Sequence, residues 1–306
     1  MIPAVQAPPS TCTVVRLVAG PGMIGRVGFE GFVLLQPEVL SRYAAALARK
    51  VRSHPQGMGC ISEDDLLAGN LDYRDLQRLP ATDEAVILRH LYATVVSRAW
   101  CLRQVCDGTT TLTFPSYFRR ERPEQPSHPS VVVTYRFSGP ADDIYATLVV
   151  RLHHTTAFDT DELWKSAADF KTQTGQKLGI LLIREAEGRC RLDVYFAPDV
   201  GEDTRVLFLR YVHEHLQLHA KDVIRLRHYA CQNKRCRRHG QAYTDQVAID
   251  AALAPGGKGE VLCPGCGKAI PLRDATERKF ESPEAKGAAR KQAEASQHLL
   301  STRAEP

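Results

Sequence analysis

Four cysteines in two pairs, Cys231 with Cys236 and Cys263 with Cys266, are the residues of this chain whose type and spacing carry the clearest chemistry. Zn2+ takes four thiolates tetrahedrally, and the Cys-Pro-Gly-Cys-Gly turn at 263–267 has glycines that let backbone amides swing toward sulfur. The pattern predicts a zinc ribbon with a closed, structural metal site. The first pair is the looser, with four intervening residues, and 26 residues separate the two pairs, which is long for a minimal ribbon. The remaining five of the nine cysteines, Cys12, Cys60, Cys101, Cys106 and Cys190, lie apart or inside apolar runs. An odd total fits no closed disulfide framework, and the N-terminus has no charged segment leading into an apolar one. No apolar run is long enough to span a bilayer, so a reducing, cytoplasmic setting is expected, in which paired cysteines bind metal.

Charge is the second feature. The formal net charge is only +5 over 306 residues, which does not announce a nucleic-acid binder. The stretch Lys221 to Gly240, however, holds seven Lys and Arg residues against Asp222 alone. Its members Arg225, Arg227, Lys234, Arg235, Arg237 and Arg238 make a basic patch beside the first cysteine pair, fit for phosphate or for an acidic protein partner.

The run His213-Glu214-His215-Leu216-Gln217-Leu218-His219 invites a metal-hydrolase reading, because His215 and His219 share a helical face. It lacks the His-Glu-x-x-His order that would aim a glutamate at a metal-bound water, so a structural or surface role is expected. His153-His154 has no companion carboxylate pair or nucleophile motif, and Arg151 is expected to pair with Asp169 or Glu162 inside the fold.

These residues need elements to hold them. Residues 1–33 form a Pro-containing N-terminal segment. Apolar residues recur at helical spacing from Gln36 to Val51, from about Ser62, and from Ala85 to Val105, and Thr110 to Phe114 alternates as a strand; this predicts a winged-helix-like part over 34–128 with a structural role. Pro115, Pro123, Pro126 and Pro129 mark the boundary. Over 129–222, strands at about Ser130–Phe137, Leu163–Phe170, Lys177–Arg184 and Cys190–Phe196, with helices at Asp142–Leu152 and Asp203–His219, predict an α+β sandwich with a mostly antiparallel sheet. The ribbon occupies 223–272, and 273–306 is an exposed helical tail or linker.

The stretches Tyr135-Arg136-Phe137, Ile144 to His153, Leu163-Trp164-Lys165 and Leu192 to Phe196 resemble the C-terminal-of-Roc (COR) domain of Roco proteins. Tyr211-Val212-His213-Glu214-His215-Leu216 leading into the cysteine pairs resembles a segment of large prokaryotic signalling proteins. In those, an ATPase or GTPase of the STAND or Roco kind lies upstream and an effector such as a TIR domain can follow. The resemblance implies a non-catalytic regulatory or scaffold module of a signalling or defence system, partnered by a nucleotide-binding protein or an effector. No Gly-x-x-x-x-Gly-Lys-Ser/Thr is present: Gly20-Pro21-Gly22-Met23-Ile24-Gly25 lacks the lysine, and Gly256-Gly257-Lys258 runs into glycine. The chain is therefore expected neither to bind nor to hydrolyse ATP or GTP. The rival reading, a zinc-ribbon nucleic-acid binder using the basic patch, stays open at this level.

Overall fold

The computed structural model describes residues 5–6, 25–26, 32–34, 37–74, 77–106, 108–123, 131–241, 243–272 and 275–304. Cys12, the loop from Gly20 up to Gly25, and residues 124–130 of the expected boundary lie outside the described residues. The fold is mixed α+β, and the chain divides into two compact units, residues 1–120 with 297–306 and residues 121–296. The division falls inside the proline-marked segment. Beyond it the structure draws fewer lines than the sequence suggests, because 129–222, 223–272 and most of the tail pack as one unit.

In the first unit, β1 (Val5–Gln6), β2 (Gly25–Arg26) and β3 (Phe32–Leu34) form a small antiparallel sheet in the order β1-β3-β2. Helix α1 (Pro37–Arg52) opens on proline and Glu38 and closes on Arg49, Lys50 and Arg52, as the helix dipole favours. Its buried stripe is Val39, Tyr43, Leu47 and Val51. Strand β4 (Cys60–Ser62) feeds α2 (Glu63–Leu67), whose first turn is capped by the Ser62 hydroxyl accepting from the Asp65 amide at 3.0 Å. Then come α3 (Ala81–Ser97) and the hairpin β5 (Leu102–Cys106) and β6 (Thr109–Thr113). Strand β6 lies between β4 and β5, so helix, strand, two helices and hairpin follow winged-helix connectivity.

The third helix ends earlier than its apolar spacing predicts. At Ala99 the backbone takes a φ of 58°, the Trp100 amide closes onto the Val95 carbonyl at 2.9 Å, and the chain turns back into β5. Leu102 and Val105 fit helical spacing equally well, but their backbone pairs with β6. Arg103, on β5, donates to Glu63 at 2.7 Å.

The second unit is built on a six-stranded antiparallel sheet. Its strands are β7 (Val131–Ser138), β8 (Phe158–Leu163), β9 (Ala167–Thr172), β10 (Lys177–Arg184), β11 (Arg189–Phe196) and β12 (Lys221–Arg227), in the order β12-β7-β11-β10-β9-β8. The single strand read at Leu163–Phe170 is thus two, β8 and β9, joined by a turn at 164–166. Helices α4 (Ala141–His153) and α5 (Glu202–His219) cover one face. There the alternating residues Val133, Tyr135 and Phe137, Leu178, Ile180 and Leu182, and Leu192 and Val194 meet Leu148, Leu152, Phe208 and Val212. The other face carries polar pairs. Gly179 stands between Asp169 and Tyr195 in the strand register, and a Cβ there would lie 2.5 Å from the Tyr195 hydroxyl. Only glycine lets the tyrosine ring cross the strand to donate to Asp169, which also accepts from Arg122 at 3.1 and 3.2 Å. Arg122, not Arg151, is therefore the partner of Asp169.

The chain then leaves the sheet for the ribbon, with helix α6 (Gln246–Leu253) and the two-stranded β13 (Glu260–Leu262) and β14 (Ala269–Pro271). It returns as α7 (Ala275–Glu281) and ends in α8 (Pro283–Arg303).

Candidate metal centre

The four cysteine sulfurs lie within 4.8 Å of one another. Cys231 and Cys266 sulfurs are 3.6 Å apart, and those of Cys236 and Cys263 are 3.7 Å apart. Four sulfurs at about 2.3 Å from a tetrahedral Zn2+ stand about 3.8 Å from each other, so the donor set and its spacing fit one such ion. Cys231, Cys236 and Cys263 are buried, in a small core with Tyr229, Ile249, Val261, Ile270 and Leu272.

Local backbone explains how both irregular spacings close. In the first pair the extra residues fold away in a turn, with the Cys236 amide on the Asn233 carbonyl at 2.8 Å, and His239 pairs back to Cys231 as an isolated bridge. The long separation holds α6, capped by the Asp245 carboxylate accepting from the Ala248 amide at 3.0 Å and rooted by Ile249 in the ribbon core. Each knuckle then points an amide two residues on at its own sulfur: Arg238 to Cys236 at 3.3 Å and Gly265 to Cys263 at 3.4 Å. Gly265 is needed for space as well, because a Cβ there would lie 2.9 Å from the Cys236 sulfur. The Gly265 amide holds the Cys263 thiol below its ordinary range. The Asn233 side chain and the Lys268 amide bring Cys266 to about 6. These two are biased toward the thiolates a metal requires, whereas Cys231 and Cys236, which share protons with them, are raised.

The basic patch does not stay together. Arg225 gives a two-pronged pair to Glu277, at 2.6 and 3.0 Å, and its guanidinium lies 3.8 Å from the centre of the Phe280 ring. Arg227 reaches the same carboxylate at 3.4 Å and stacks on Tyr229. Both are well covered, at 14 and 13% side-chain exposure. Lys234, Arg235 and Arg237 are exposed on the first knuckle, and Arg238, half-buried, donates to Gln241 at 3.3 Å. Glu277 and Phe280 were not singled out in the sequence. Their signal was an acid and an aromatic three residues apart in a tail otherwise poor in large apolar groups.

On the histidine helix, α5, His215 and His219 stand side by side with ring centres 4.5 Å apart, the first buried and the second exposed. His215 is buried with Nε2 3.2 Å from the Ile144 carbonyl, and desolvation pushes its pKa down to about 3. His213 is wedged between the rings of Tyr135 and Phe280, its pKa lowered to about 4 by burial and by neighbouring Arg210 and Arg225. Glu214 pairs with Arg210 at 3.0 Å. His153 Nδ1 lies 2.9 Å from the Thr160 hydroxyl, and His154 is buried against it. Among the described residues, the four cysteines are the grouping of His, Cys, Asp and Glu side chains close enough to hold a metal. No helix of the described residues is long and apolar enough to cross a membrane. No protein-family model matches this chain, and no curated protein matches it either.

Proposed function

We propose that the chain is a non-catalytic regulatory or scaffold module of a prokaryotic signalling or defence system, cytoplasmic, with a COR-like sandwich and a ribbon fastened by structural Zn2+. The observation that carries this reading is how the chemistry-bearing groups are spent. Four sulfurs fill a tetrahedral ion and leave no position for a substrate, His215 is sealed among core side chains with His213 half-buried beside Tyr135 and Phe280, and two patch arginines are consumed by Glu277. What remains at the surface suits protein contacts. Its partner is a nucleotide-binding ATPase or GTPase, or an effector domain, encoded beside it. The test is co-expression with the products of neighbouring reading frames: a complex surviving gel filtration supports the scaffold, and a chain that elutes alone with every such product refutes it.

The second reading, nucleic-acid binding, is favoured by exposed Lys234, Arg235 and Arg237 on the first knuckle. Fluorescence anisotropy with short DNA and RNA at about 150 mM salt separates the two. Submicromolar affinity lost in the triple variant Lys234→Glu, Arg235→Glu, Arg237→Glu selects the second reading; weak binding indifferent to those changes selects the first.

A further inference from the structure

A cleft of about 750 Å³ opens at one end of the six-stranded sheet. It lies where β7 and β10 begin and β11 and β12 end, and the first ribbon knuckle walls its far side through Gln232, His239 and Gly240. Its volume is that of a site for a small organic molecule. It belongs to neither the cysteine site nor the exposed knuckle cations.

Its lining is lopsided in charge. Arg122, Lys177, Arg205 and Arg227 face it with one carboxylate, Asp169; Arg122 is paired with Asp169 and Arg227 with Glu277, so the charge without a close acidic partner is that of Arg205 and Lys177. Lys177 holds only a 3.5 Å contact to Asp161, which sits closer, at 2.6 Å, to Lys171. Arg205 donates to main-chain carbonyls alone, Ala197 at 3.3 Å and Pro198 at 3.0 Å, and among the described residues no carboxylate stands within ion-pair distance of it. Arg122 and Arg205 each bury an Nε–H that finds no acceptor among the described residues. A concave wall holding a guanidinium with no carboxylate partner, Arg205, and a loosely held ammonium, Lys177, suits an anion.

The rest of the lining adds an organic requirement. Leu178, Phe196 and Leu209 contribute apolar wall. His228 is held in one orientation: the Thr134 hydroxyl donates to Asp193 at 2.6 Å, so His228 Nε2, 2.8 Å from that hydroxyl, must be the protonated nitrogen. A donor-rich rim over an apolar wall fits a phosphate ester better than a bare ion, since guanidinium forks match phosphate oxygens and the wall takes the ester's carbon body.

We propose that this cleft binds a small phosphorylated organic molecule, with Arg205 and Lys177 as its anion contacts. The test is isothermal titration of the full-length, zinc-loaded protein with phenyl phosphate, inorganic phosphate and benzyl alcohol. Phenyl phosphate is expected to bind saturably with a submillimolar Kd, inorganic phosphate about tenfold more weakly, and benzyl alcohol not measurably. Arg205→Ala should weaken phenyl phosphate by about tenfold or more, and Lys177→Ala by a few-fold. Lys177 is two-thirds exposed, so its variant keeps the test valid should Arg205→Ala misfold. No saturation by about 5 mM phenyl phosphate, equal affinity for inorganic phosphate, or affinity unchanged in both folded variants would overturn the proposal.

Discussion

Replacing Phe280 by alanine should loosen the second unit far more than its place in a polar tail suggests. The ring is 2% exposed and belongs to the sheet core. Its centre lies 3.8 Å from the Arg225 guanidinium, 4.7 Å from that of Arg210, and 5.6 Å from the His213 ring. Truncating a buried phenylalanine costs about 3–5 kcal/mol, and two desolvated cation–π contacts add about 1 kcal/mol each, so a loss of at least about 5 kcal/mol is expected. For a unit of this size each kcal/mol moves the midpoint by about 2–4 °C, which makes the shift roughly 10–20 °C. The assay uses the two tryptophans: Trp164 is buried in the second unit and Trp100 lies in the first, so Trp164 fluorescence in a Trp100→Phe background follows the second unit alone. Phe280→Leu, which keeps the apolar bulk and removes only the ring face, should cost about 1–2 kcal/mol. A shift under about 3 °C for the alanine variant, or equal losses for alanine and leucine, would refute the assignment of that ring as a core and cation anchor.

Purified protein should carry about one zinc per chain by elemental analysis, and Cys263→Ser should abolish it; less than half an ion per chain in the parent would sink the metal site. Gly265→Ala places a methyl against the Cys236 sulfur and should weaken zinc by about tenfold in competition with a chelator, with equal affinity as the contrary result. His213 and His215 titrate lower in the folded chain than their ordinary 6.5, so the unfolded chain takes up protons first as pH falls. Their contribution to stability is complete above about 6.5 and is lost progressively toward about 4 and about 3. The urea midpoint of Trp164 fluorescence should therefore drop between pH 7 and pH 5, and less so in His215→Gln; identical slopes would contradict this.

Most elements were legible where one period dominated. The β10 segment is a continuous apolar run, β11 alternates from Arg189 to Val194, α5 repeats apolar residues over its length, and the cysteine pairs needed only their spacing. The misreadings came where a local pattern was ambiguous and pairing decided. Leu102 and Val105 continue the α3 spacing, yet the backbone is claimed by β6. Ala99 at positive φ gave no glycine signal for the stop. The basic patch was counted as one surface because charge is additive along a sequence, whereas Arg225 and Arg227 point to an acid 50 or more residues away. The cleft was illegible for a related reason: Arg122, Lys177 and Arg205 come from separate segments and meet only when the sheet ends are brought together.

The neck of the ribbon has a consequence for what metal loss would do to the molecule. Arg225 and Arg227 on the outgoing strand grip Glu277 on the returning helix, so the excursion between them is shut at its base by ion pairs that do not involve the cysteines. Without its ion the ribbon becomes a closed loop rather than a free arm, and loop closure costs little more for a long loop than for a short one. Melting would then stop at the neck as a local opening event, leaving the sheet intact. Because Gln232, His239 and Gly240 wall the cleft, such an opening would strip that wall away, and the metal would set whether the cavity is closed or bare.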